Sequence, residues 1–139
     1  MANPGPASSS LTNAQTLTTQ QALRLLAVAK GLSVNAAGDV VLPLLSVTSF
    51  VATTVITTNA NVPMATATVG IYTAPAAGGT AVLTTVALTG QTTQSFAYVR
   101  PATSAAAQVT VSNAPLYVNI GAAVAGGTVD LYLYGYDVS

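Results

Sequence analysis

Apolar and polar positions alternate one by one along much of this chain, most cleanly in the stretch that opens at Gly126-Gly127. There Val129, Leu131 and Leu133 fall on one side, and Asp130, Tyr132, Tyr134 and Tyr136 on the other. A period of two predicts a β-strand with two unlike faces. Branched and aromatic side chains suit a pleated surface. The aliphatic face is expected to enter a core. The tyrosine face is broad and amphipathic, fit to meet water, a neighbouring subunit or a second sheet.

The same reading predicts further strands upstream. Ala65, Ala67, Val69 and Ile71 alternate with Thr66, Thr68, Gly70 and Tyr72. Strands are also expected over Thr80–Leu88, Ser95–Val99 (with Phe96 and Tyr98), Gln108–Ser112 and Leu116–Gly121. Val40–Thr57 holds one long strand or two short ones, with Pro43 marking an edge or a bend. Turn clusters separate them: 35–39, 58–63, 74–79, 89–93 and 113–115. About eight short strands at steady spacing predict an all-β, jelly-roll-like antiparallel β-sandwich, and a related sandwich of seven to nine strands fits almost as well. Ala74–Leu83 echoes Ala122–Leu131 around a shared Gly-Gly-Thr, which predicts two similar hairpins.

Two stretches break the alternation. Residues 1–17 are rich in Pro, Gly, Ser, Thr and Asn without apolar periodicity, and are expected to form an extended N-terminal arm. Residues 18–30 carry Ala22, Leu25, Leu26 and Ala29 at helical spacing. Thr18 or Thr19 offers an N-cap and Gly31 a left-handed stop, so one short helix is expected there. Leu23 and Val28 widen its apolar surface. It then either closes the end of its own domain or docks on another subunit. The expected division is residues 1–31, arm plus helix, and 32–139, the sandwich.

Composition changes the picture through charge. Of 139 residues, 4% are charged, against a typical ~25%. The charged residues are Arg24, Lys30, Arg100, Asp39, Asp130 and Asp137, and none lies between Asp39 and Arg100. Three cations cannot build the basic surface that nucleic acid or an anionic membrane requires, so neither is an expected partner. A surface so poor in charge is poorly soluble as a free monomer, and burial in an assembly is the physical escape. The greasiest run, Val40–Ile56, is diluted by Ser and Thr and rich in β-branched residues. It is expected to be strand, not a membrane-spanning helix. The N-terminal residues have no secretory-signal pattern.

Candidate chemistry is sparse. The sequence has no Cys, His or Glu, which removes the thiolate nucleophile and the commonest general base and metal ligand. Asp130 and Asp137 lie seven apart and face opposite sides of a regular strand, which argues against a carboxylate pair. Asp39 in a Gly turn is expected to be a turn residue. Neither glycine pair has the spacing of a phosphate loop. No catalytic, cofactor or metal residue is predicted. The expected contact residues are Leu23, Leu26, Arg100, Tyr132, Tyr134 and Tyr136. Tyrosine gives large contact area at low entropy cost. Arg100 is expected to pair with Asp130 or Asp137, within or between subunits.

The stretch Thr66-Ala67-Thr68-Val69-Gly70-Ile71-Tyr72-Thr73-Ala74, the Gly-Gly-Thr turn and the segment Gly127–Asp137 resemble small structural proteins of tailed bacteriophages that decorate or cement the capsid shell. The resemblance covers roughly residues 40–139. It rests on general character, since both are poor in charge, Ala/Thr/Val/Gly-rich and all-β, with a polar arm in front. It implies a place on the virion surface, with the major capsid protein as partner and a homo-oligomer, often a trimer, bridging capsomers. It carries no catalytic residue. Other expectations are a receptor- or glycan-binding fibre or spike module, with sugar stacked on Tyr132 or Tyr134, then a membrane β-barrel, which lacks its aromatic girdles and signal sequence. An enzyme ranks last.

Overall fold

The computed structural model describes residues 23–92, 97–102, 108–110 and 114–139. The expected arm, residues 18–22 of the expected helix, and Phe96 lie outside the described residues. Among the described residues the chain is all-β, with nine strands: β1 Leu23–Ser33, β2 Gly38–Leu42, β3 Ser49–Thr58, β4 Thr68–Ala74, β5 Gly78–Ala87, β6 Ala97–Pro101, β7 Gln108–Thr110, β8 Leu116–Ala122 and β9 Thr128–Asp137. Every pairing among them is antiparallel. One sheet runs β1-β9-β3-β6, with β7 also paired to β3, and the other runs β2-β8-β4-β5.

The two sheets form a β-sandwich around one core. Leu26, Phe50, Val55, Val129, Leu131 and Leu133 come from the first sheet, and Leu42, Ile71, Val82, Leu116 and Val118 from the second. Met64 and Leu88 fill in from the connections. Burial of this aliphatic surface is the main stabilising term. The alternation read from the sequence holds in β9, where Val129, Leu131 and Leu133 are buried and Asp130, Tyr132 and Tyr134 only half-buried.

The helix expected over 18–30 is not present in its described part. Leu23–Ser33 is a strand that pairs with β9 and runs through Gly31. Two register shifts explain the misleading pattern. One falls between Leu25 and Ala27, so the consecutive Leu26 and Ala27 are both fully buried. The second falls between Ala29 and Leu32, where Gly31 sits at φ +63°. Each bulge adds one residue to one strand and moves the next apolar side chain back to the core. Spacings of three result, and these imitate a helix. Pairing with β9 then outweighs a weak local propensity.

The echoed Gly-Gly-Thr segments make different connections, so the expectation of two similar hairpins holds for only one. Residues 75–77 join β4 to β5 within one sheet. Residues 123–127 carry the chain from β8 in one sheet to β9 in the other. Asn61 ties down that crossing. Its Nδ2 donates to Gly126 O, and its Oδ1 accepts from Thr128 N, both at 2.8 Å.

Candidate functional site

Register places the outward side chains of the five-stranded sheet in rows, because directly paired residues share a face. The first row is Leu23, Tyr136 and Val51. The second is Leu25, Tyr134, Thr54 and Pro101. The third is Val28, Tyr132, Ile56 and Val99. None of these residues is charged. Asp130, Thr58 and Ala97 make a fourth row and bring the first carboxylate. Val99 is 61% exposed, Leu23 54% and Tyr136 38%, so the face is apolar and open at both edges.

The sequence candidates separate cleanly. Leu23, Tyr132, Tyr134 and Tyr136 come together on this outer face. Leu26 does not join them, because the first bulge of β1 turns it into the core, fully buried. Tyr98 is paired with Thr57 on the inner side of β6 and stacks on Arg100 instead of extending the tyrosine rows. Val51, Ile56, Val99 and Pro101 complete the face without standing out in the sequence. Their only sequence signal is strand alternation, and their neighbours are fixed by pairing across distant strands.

The opposite sheet presents a different exterior. Tyr72 lies across Gly70, where an added Cβ would sit 2.6 Å from its ring, and its hydroxyl bonds Thr85 Oγ1 at 2.8 Å. Asp39 accepts from Asn119 Nδ2 and from the Ala76 N–H, both at 2.8 Å. The Asn119 bond, then the Ala76 bond, hold its carboxyl below the usual value. These polar groups satisfy one another within the chain.

Ion pairing departs from expectation. Arg24, not Arg100, meets Asp137, with Nη1 2.8 Å from Oδ2. Burial would raise the Asp137 carboxyl, but bonds from Ser139 and the Arg24 charge outweigh it and hold it below the ordinary value. Asp130 accepts from the Gly31 N–H at 2.6 Å and from Asn59 Nδ2 at 3.1 Å. Arg100 reaches neither aspartate, because it points inward from β6 opposite Val55 and is 5% exposed. Its Nη1 donates to Thr57 Oγ1, which donates to Gln91 Oε1. Burial pushes the guanidinium below its ordinary value, partly offset by Tyr98.

An open groove of about 410 Å³ is lined by Pro43, Leu44, Ser46, Val47, Thr48, Ala114 and Pro115. That lining has no acid, base or activated nucleophile and supplies no proton-transfer chemistry. No helix among the described residues is long and apolar enough to cross a membrane. No family model matches the chain, no curated protein matches it, and no solved structure matches it.

Proposed function

We propose that this chain is a non-catalytic structural module, a jelly roll whose uncharged outer face builds an assembly. The strand order supports the fold reading. With β6 and β7 counted as one interrupted strand along β3, the eight strands fall into two four-stranded sheets, in which the chain crosses between sheets at nearly every connection. Interleaving of this kind is the hallmark of two Greek keys rolled together, an architecture found in viral capsid and lectin domains.

The assembly proposed is a virion. The chain binds and stabilises the outer surface of a phage capsid, as a homo-oligomer with a trimer favoured, and the major capsid protein is its partner. The observation that carries this reading is the outer face of the β1-β9-β3-β6 sheet, three rows of Leu, Val, Ile, Tyr, Thr and Pro without a charge. Contiguous apolar surface of this kind marks interaction sites. Binding the assembled shell but not its parts stabilises the shell by mass action. Residues 1–17 are proposed to add reach to neighbouring subunits.

The test is location and attachment. Mass spectrometry of fractionated particles should find the chain in the shell fraction, and loss of residues 1–17 should weaken its retention there while the circular dichroism of the sandwich is unchanged. Absence of the chain from particles overturns the reading. A fibre or spike module that binds glycans is the second reading, favoured by the outward tyrosine rings at 132 and 134. A positive glycan array together with recovery in the tail fraction would select it.

A further inference from the structure

We propose that Arg100 is the seat of an internal anion site, which takes a small inorganic anion of chloride size on its Nη2. The Nη2 atom is buried and has no hydrogen-bond partner among the described residues. The rest of the head group is held in place. Nη1 donates to the Thr57 hydroxyl, and the guanidinium carbon lies 4.3 Å from the centroid of the Tyr98 ring. Thr57 is itself fully buried, and its hydroxyl donates a hydrogen bond to Gln91 Oε1. One N–H edge of a held cation is therefore left without an acceptor among the described residues.

Charge counting excludes a counter-ion from the chain's own side chains. Arginine stays protonated in proteins. A hydroxyl and an aromatic face bind the cation but do not neutralise it. The sequence holds three aspartates and no glutamate. Asp39 is taken by Asn119 and Ala76, Asp130 by Gly31 and Asn59, and Asp137 by Arg24 and Ser139. A buried charge without a partner is strongly disfavoured. A water molecule would fill the hydrogen bond but leave the charge. The side chain is only 5% exposed, so a carboxylate on another protein cannot reach Nη2 without opening the sandwich edge. A small diffusible ion needs a far smaller opening.

The experiment is a set of thermal melts of the full chain at fixed ionic strength, with chloride replacing a bulky sulfonate buffer anion. A site with real affinity gives a saturable rise in Tm of about 3–8 °C at high occupancy, and Arg100→Met removes the rise. A flat or unsaturating response in the unaltered chain overturns the proposal, as does an equal rise in the variant. Should Arg100→Met not fold, bromide-soaked crystals of the unaltered chain decide. An anomalous peak within hydrogen-bonding distance of Nη2 supports the site. A water, a protein carboxylate or nothing at that position overturns it.

Discussion

Arg24 on β1 sits 2.8 Å from Asp137 on β9 and clasps the two strands where they leave the sandwich. The second arm of the guanidinium donates to Leu45 O at 2.7 Å, so a single side chain also fixes the β2–β3 connection. Asp137 and Asp39 both have lowered pKa values. Their contribution is complete above the unfolded carboxylate range and is lost as pH falls through the lower folded values. Tm should therefore hold from neutrality to about pH 4 and fall below it. Asp137→Asn should cost about 1 kcal/mol at neutral pH and flatten the acid limb. Thermal melts across pH check both.

Gly135 is pinched between neighbouring strands. An added Cβ would overlap Val51 O and lie 2.8 Å from Leu26 Cδ1 and 2.9 Å from Ala52 Cα. The shifts in β1 and β3 both flank this point. Two of the three obstacles are backbone, so Gly135→Ala should cost about 1–3 kcal/mol by overpacking. Urea unfolding measures it.

Leu23 and Leu26 discriminate strand from helix at β1. A helix would hold them on adjoining apolar surface. In the structure Leu26 is fully buried and Leu23 is 54% exposed. Leu26→Ala should cost about 2–5 kcal/mol by leaving a cavity. Leu23→Ala should fall within about 0.5 kcal/mol. Similar losses in denaturant titrations would contradict the strand.

Charge placed on the outer face should separate folding from assembly. Tyr134→Lys and Val99→Lys sit in the second and third rows, at the centre and edge of the sheet. Tm should stay nearly unchanged for the exposed Val99 and fall modestly for the half-buried Tyr134, while both changes weaken self-association and retention on particles at least tenfold. Sedimentation velocity and particle pull-down measure the two effects.

Strand alternation is legible wherever the backbone stays regular. β9 shows the two faces read for it, and Val40–Thr57 resolves into the two shorter strands allowed for it. β1 is illegible because its bulges erase the period of two, and a bulge leaves no local mark beyond Gly31. The tyrosine face can be found from sequence because one strand carries it. The partners of Arg100 cannot, since Thr57 lies 43 residues away. Only pairing of β6 with β3 brings it near. Gly126-Gly127 announces a turn correctly, but turn chemistry is silent on whether the next strand joins the same sheet.

β9 lies between β1 and β3, so the middle of this sheet leaves the ribosome after both of its neighbours. Until Thr128 and the residues after it emerge, β1 and β3 lack the strand that joins them, and much of the aliphatic layer has nothing to close against. Such dependence on remote pairing slows folding and leaves sticky nascent chain in the meantime. A chain cut short of that strand would leave β1 and β3 as facing edges with no partner between them.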